Sequence, residues 1–245
     1  MTTLVPVALA EPFYPSADGE PVAETYDHLC ASLTTLEVLK QYLAGRQATV
    51  LGNQFLYYAK GYPRLRVAPD VMVILDVPPG GRDNYKIWEE GQVPAVIFEM
   101  TSAGTKDENQ MFKKILYEQL GVQEYWLLDP KGEWVKEKLR GYRLDGERYR
   151  PVQGARSEVL QLRLEIEGKL IGFYRDTGEK LLVPEELAQA LQQEVVARQQ
   201  AQAQAEQERQ RTEQERQRAE QERQRAEQAE LQVEQERQRA EQAEL

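Results

Sequence analysis

The sequence predicts an α/β domain in the order helix, three strands, helix, strand, extended by β-hairpins and followed by a long polar helix. Three observations predict it. Between residues 25 and 129, apolar residues recur at helical steps, then in short strand-length runs, then at helical steps again, then in one more run. Two of the runs, Ala95-Val96-Ile97-Phe98 and Tyr125-Trp126-Leu127-Leu128, are continuously apolar, as in strands covered on both faces. From Ala205 a seven-residue unit of Glu, Gln, Arg and Ala repeats to the end of the sequence. The expected division is therefore an α/β domain at 1–183 and a polar helix at 184–245.

The elements follow in order. Residues 1–21 carry Pro6, Pro12, Pro15, Pro21 and Asp18-Gly19, too much punctuation for a regular element. From Thr25, Leu29, Leu33, Leu36, Leu39 and Leu43 step by three and four, predicting a helix that buries this leucine edge and is capped by Gly45. Ala48–Leu51, continuing into Phe55–Ala59 after Gly52-Asn53, reads as the first strand. Arg64–Leu75 reads as the second and Ala95–Met100 as the third. Pro78–Asp83 is a loop, and Tyr85–Gln92 a short turn of helix.

Thr105-Lys-Asp-Glu108 spells a capping box for a helix running to Leu120, with Gly121 as its stop and Phe112, Ile115, Leu116 and Leu120 as its buried stripe. Gln123–Asp129 is a strand. Trp134–Leu144 and Arg148–Pro151 form a hairpin turning at Asp145-Gly146, and Val159–Ile166 and Leu170–Tyr174 flank another turn. These either extend the sheet or make a small flanking one. Pro184-Glu-Glu opens the last helix, with acid in its first turn to suit the dipole. Most repeat units offer a single small Ala to a seam, and only Leu231 with Val233 improves on that. A solvated single helix and a weak coiled coil both fit.

Composition excludes several function classes. With one cysteine, Cys30, and one histidine, His28, the chain builds neither an internal disulfide nor a Cys/His zinc cluster. No apolar run is long enough to span a bilayer, and Met1–Pro6 lacks the basic start of a secretory signal, so a cytoplasmic location is expected. The net charge is −10; residues 201–245 hold 12 Glu and 8 Arg, which leaves −6 on the remainder. An acidic domain binds polyanions only through a local basic patch or a metal-filled site.

Five residues could carry chemistry. Asp70, between Pro69 and Val71, is expected on a strand, as either an edge carboxylate facing water or a ligand. Glu99 ends four apolar residues, so its carboxylate must be salt-bridged, hydrogen-bonded or bound to a cation. Steps of about 100° per residue put Lys113 at the rim of the apolar stripe, able to snorkel or to reach the strand ends. The same steps put Lys114 opposite the stripe in solvent. Glu24, like Glu20, precedes the first helix and can add an acid to a metal site. His28, beside Leu29, reads as a core-edge residue, and Cys30 as buried packing.

The order of elements, with Pro69-Asp70 and then Glu99, resembles the PD-(D/E)XK phosphodiesterase superfamily. More closely, Tyr14-Pro-Ser-Ala-Asp-Gly-Glu-Pro-Val-Ala-Glu-Thr25, Ala68-Pro-Asp70, Phe98-Glu-Met-Thr-Ser102, Asp107, Lys113, Tyr117, Gly121-Val122, Glu124-Tyr125-Trp126 and Asp129-Pro130 resemble the bacterial putative restriction endonuclease family within it. The likeness covers about residues 10–180. It implies a restriction-endonuclease-like core (αβββαβ) with a mixed central sheet flanked by helices. It also implies Mg²⁺, with Mn²⁺ as substitute, on Asp70 and Glu99, and Lys113 as the catalytic lysine; Glu24 or Glu20 is expected to complete the shell. Thr101 stands two residues after Glu99, where the superfamily's E-x-K places its lysine. The implied partner is nucleic acid, DNA first, with self-association through the core or the C-terminal helix. The alternative is a nuclease-derived binding module that uses its tail for partners.

Overall fold

The computed structural model describes residues 12–17, 24–101 and 107–243, the side chains of 107–110, 231 and 234–243 excepted. The Thr105–Glu108 capping box, Glu20 and the Leu231 side chain lie outside the described residues. In chain order the elements are α1 (Tyr26–Tyr42), β1 (Ala48–Leu51), β2 (Leu56–Tyr57), β3 (Arg66–Val67), β4 (Val71–Leu75), β5 (Tyr85–Lys86), α2 (Ile87–Glu90), β6 (Val96–Met100), α3 (Asp107–Leu120), β7 (Glu124–Leu128), β8 (Leu139–Asp145), β9 (Arg148–Pro151), β10 (Arg156–Ser157), β11 (Leu162–Glu167), β12 (Leu170–Arg175), β13 (Lys180–Leu181) and α4 (Pro184–Ala243).

The central sheet has the order β1-β4-β6-β7-β8-β9 and is mixed: β6 and β7 run parallel, and the other neighbours antiparallel. The parallel pair is joined through α3, as a crossover requires. Side chains alternate between the two faces at period two. Val71, Val73, Val96, Phe98, Met100, Trp126 and Leu128 pack with Ala31, Val38 and Leu39 of α1 and with Leu162, Leu164, Ile171 and Phe173 of the four-stranded sheet β10–β13. Met72, Ile74, Ile97, Tyr125 and Leu127 pack with Tyr117 of α3 and with Leu56 and Tyr85 of the small sheet β3-β2-β5. Each such buried side chain contributes about 1.5–3 kcal/mol. Glu99 falls on the second of these faces, where an apolar residue would otherwise stand.

Several boundaries differ from the sequence expectations, each for a local reason. Pro69 splits the expected 64–75 strand into β3 and β4, because it has no N–H for the ladder. Asp70 therefore sits in a bend just before β4 and not within a strand. The expected continuation of β1 into 55–59 is broken at Asn53, which turns with φ of 50° and donates its N–H to Pro69 O and Asp70 O at 3.0 and 3.2 Å. β2 then joins the small sheet. Tyr85–Gln92 divides into β5 and α2, which Gly91 ends at φ of 76°. The 134–144 strand begins only at Leu139, because Asp129 gathers the backbone N–H groups of Lys131, Gly132, Trp134 and Val135 into a loop.

Both helical stripes are rotated from expectation. On α1, Leu29 and Leu33 are about half exposed, and the buried face is His28, Ala31, Thr35, Val38 and Leu39. On α3, Phe112 and Ile115 are exposed, and Leu116 and Tyr117 face the sheet. Lys114 is not in open solvent, since its ammonium lies 3.8 Å from the Tyr142 ring centroid. Cys30 is half-buried rather than buried.

The chain divides into two units, Met1–Glu185 and Glu186–Leu245. In the second, α4 is exposed from Ala188 along its described length and carries the repeat's ion pairs, such as Glu213–Arg216 and Glu220–Arg223 at 3.3 and 3.2 Å. Exposed i,i+3 pairs of this kind add only a few tenths of a kcal/mol each, about 0.3–0.5. Among the described residues no helix is long and apolar enough to cross a membrane.

Candidate active site

Strand register brings the two predicted carboxylates together. β4 and β6 are antiparallel with Val71 opposite Phe98, so one further step sets Asp70 opposite Glu99. The Met100 N–H donates to Asp70 Oδ2 at 2.6 Å, fixing the bend against the end of β6. The turn at Gly52 and Asn53 supports the bend from behind. A Cβ at Gly52 would meet Asp70 O and a Leu36 methyl, each at 3.2 Å, so any side chain there would press on the bend.

Glu99 is 5% exposed and has a partner on each oxygen. Lys113 Nζ donates to Oε2 at 2.8 Å, and the Tyr117 hydroxyl donates to Oε1 at 2.7 Å. Lys113 and Tyr117 are four apart on α3 and so share the face turned to the sheet. Lys113 Nζ also reaches Ala68 O at 3.4 Å, bridging β6 to the segment that carries Asp70. Three of the predicted site residues thus meet at one end of the sheet.

Glu24, the fourth, stands at the entrance to α1. Its Oε2 is 3.2 Å from His28 Nδ1, though without hydrogen-bond alignment. His28 is buried, and its Nε2 lies 3.1 Å from Asp70 Oδ1. His28, read from the sequence as a core-edge residue, is therefore a member of this cluster. Its signal was the four-residue step from Glu24, masked by the leucine periodicity beside it. Thr25 starts the helix by accepting the His28 N–H at 3.4 Å and so fixes the turn that aims the ring. Thr101, two residues after Glu99, is buried, and its hydroxyl has no partner among the described residues.

One ammonium serves two acids here, and the proton affinities follow. Burial pushes the Glu99 carboxyl up to about 7; the Lys113 ammonium opposes this, and the charge of Asp70 adds to it. For Lys113, burial lowers the pKa, but the pull of Glu99 and Asp70 prevails and holds it above its ordinary value. For His28, burial lowers the pKa and the hydrogen bond and charge of Asp70 raise it, with a net upward shift. Burial beside Glu99 drives the Tyr117 phenol well up, so it remains a donor.

A cleft of about 170 Å³ opens beside Asp70, lined by Glu24, His28, Ser32, Leu36, Gly52 and Asn53 among others. The donor set is oxygen-rich and anionic, the chemistry that hard divalent cations take. The arrangement is nonetheless closed by protein partners. Both oxygens of Asp70 and both of Glu99 are engaged, and among the described residues no three His, Cys, Asp or Glu side chains converge as a metal cage. Among the described residues each of these oxygens accepts one hydrogen bond, and Lys113 and His28 occupy the sides on which a cation would approach Glu99 and Asp70.

Fold and site define an α/β protein with a buried acid–lysine pair and a second acid at the end of a mixed sheet. Residues 9–172 match the Uma2 family, described as putative restriction endonuclease, and the chain belongs to that family. No curated protein matches. Among solved structures, a putative nuclease belonging to DUF820 from Anabaena variabilis is similar at 15% identity and a TM-score of 0.41, covering 58% of this chain and 77% of that one.

Proposed function

We propose that this protein is a metal-dependent endodeoxyribonuclease that hydrolyses phosphodiester bonds, with residues 1–183 carrying the chemistry and 184–245 serving as an assembly tail. The observation that carries the reading is the bridging ammonium of Lys113, 2.8 Å from Glu99 and 3.4 Å from Ala68 O, beside the bend that presents Asp70. Asp70 and Glu99, with Glu24, would hold Mg²⁺, or Mn²⁺ in its place. When bound, the cation supplies an activated water and charge neutralisation at the scissile phosphate.

The chain's own residues do the rest. Lys113, displaced from Glu99, offers its ammonium to a phosphate oxygen or to the attacking water. Tyr117 keeps hold of Glu99 Oε1 and so preserves the orientation of the carboxylate. The Met100 N–H and His28 orient Asp70 from two sides. Holding a cation would require Glu99 as the carboxylate, and its carboxyl is raised to about 7, so activity is expected to rise with pH across that range.

The reading is tested by plasmid nicking with Mg²⁺ by wild type, Asp70→Ala and Glu99→Ala. Loss of nicking in both variants is expected, and equal nicking by all three proteins overturns the reading. A second reading is favoured by the engagement of all four carboxylate oxygens: a nuclease-fold binding module with little or no catalysis. It predicts no Mg²⁺ or Mn²⁺ binding that depends on Glu99.

A further inference from the structure

Residues 54–69 depart from the rest of this acidic chain. They hold three cations, Lys60, Arg64 and Arg66, no acid, and four aromatic residues, Phe55, Tyr57, Tyr58 and Tyr62. Most of the turn between β2 and β3 is exposed: Lys60, Gly61, Arg64 and Leu65, with Tyr62 64% accessible. Only Ala68 and Pro69 separate β3 from Asp70.

Against this turn lies the stretch 12–16, pinned at several points. The Gly61 N–H donates to the Tyr14 hydroxyl at 2.6 Å, and the Tyr57 hydroxyl donates to Pro15 O at 2.5 Å. Asn84 Nδ2 reaches Tyr14 O and Ser16 Oγ at 3.3 and 3.2 Å. Between the two segments and α2 is a cleft of about 590 Å³ lined by Phe13, Tyr14, Lys60, Lys86, Trp88 and Glu89 among others. That volume lies in the roughly 300–1,000 Å³ range of clefts for nucleotide-sized ligands. Tyr14 and Trp88 are 5.2 Å apart between ring centroids, and Phe13 is 82% exposed. Lys86 Nζ sits 5.4 Å from the Tyr14 ring centroid and 3.1 Å from Glu89 Oε1.

We propose that this cleft is a stacking subsite for unpaired bases of a single-stranded nucleic acid, with Lys60, Lys86 and Arg64 serving its phosphates. Rings inside a cleft offer π-faces that paired bases, already stacked on their neighbours, cannot use. Lys60 and Lys86 line the cleft and Arg64 lies on the adjoining turn, so cations stand beside the rings where a strand's phosphates would run. A phosphate drawn to Lys86 replaces Glu89, which moves out to solvent. The nature of the ligand rests on the nuclease reading, and the subsite adds to it a substrate with an unpaired segment next to the scissile bond.

The test is binding of a fluorescent oligothymidylate of about 12 nucleotides, within the site sizes usual for single-strand binders, to the full chain in EDTA, followed by anisotropy. The same strand paired with oligoadenylate is the control. Wild type is expected to prefer the single strand, with Phe13→Ala and Trp88→Leu each weakening it about tenfold. Lys60→Gln is expected to flatten the log–log salt slope by about 0.7. Phe13 lies outside the core, so its variant cannot fail through misfolding, and thermal melts verify the others. Failure of wild type to bind, preference for the duplex, or variants that bind like wild type would each overturn the proposal. Because the assay contains no metal, it is blind to catalysis. Unchanged binding by the variants removes the cleft and leaves the nuclease reading intact. Normal stacking in a protein whose nicking ignores Asp70→Ala does the reverse.

Discussion

Glu99 makes the stability of this protein depend on pH in a direction that can be worked out. Its carboxyl sits near 7 in the folded chain against an ordinary 4.5, mainly because it is buried. Between those two values the native state binds more protons than the unfolded one, so stability falls as pH rises from about 4.5 to about 7 and then levels off. A displacement of that size is worth about 3 kcal/mol, and at 5% exposure solvent screens little of it. Glu99→Gln removes the titration and keeps a partner for Tyr117. The assay is urea unfolding of wild type and Glu99→Gln at about pH 5 and pH 8. Wild type should lose about 2.5 kcal/mol more than the variant between the two, since titrating groups remote from Glu99 cancel in the double difference. Added Mg²⁺ should recover part of that loss at pH 8 in wild type only. Parallel pH profiles for the two proteins would refute the claim that this carboxylate is buried beyond what one ammonium offsets.

Three further perturbations follow from the contacts. His28→Ala leaves Asp70 Oδ1 without its ring partner and should cost about 1–3 kcal/mol. Because the His28 pKa is raised on folding, its contribution is complete below its ordinary 6.5 and lost as pH rises through the folded value, so chemical melts should show a larger cost in acid than in base. Asp129→Ala strands four backbone N–H groups and should cost at least about 2 kcal/mol by thermal melting. The Asp129 carboxyl is resisted by burial but held below its ordinary 3.8 by those N–H groups, so that stabilisation is present above 3.8 and lost as pH falls through the folded value. Gly141→Ala would drive a methyl into the Trp126 ring, which is buried and flat, and should cost about 1–3 kcal/mol while leaving the acid–lysine cluster unchanged.

Much of this arrangement was legible in the residues. The order of helices and strands and the burial of Glu99 follow from periodicity and from the cost of burying a carboxylate, whereas Lys113 was reached by steps from a stripe, Phe112 and Ile115, that in fact faces outward. The rotation of the helices was not legible. Leucines occupy the exposed edge of α1, while its buried face uses Ala31, Thr35 and His28, residues that hydropathy counts as weak. On α3 a lysine and a tyrosine point inward because Glu99 gives their polar ends partners, so Phe112 and Ile115 turn outward against their own hydropathy. The pairing of Asp70 with Glu99 depends on β4 and β6 being antiparallel, which neither run of residues encodes by itself. His28 could be placed only once that pairing was known.

The central claim is that an ammonium on α3 acts with two carboxylates, one at the end of β6 and one in the bend before β4. Single-turnover plasmid nicking with Mg²⁺ by Lys113→Met and Lys114→Met, two neighbours on one helix, tests it most directly. Lys113→Met should lose on the order of 100-fold or more in rate, and Lys114→Met should stay within about a factor of two, because its ammonium rests on the Tyr142 ring. Equal rates for the two variants, whether both fast or both absent, would contradict the account.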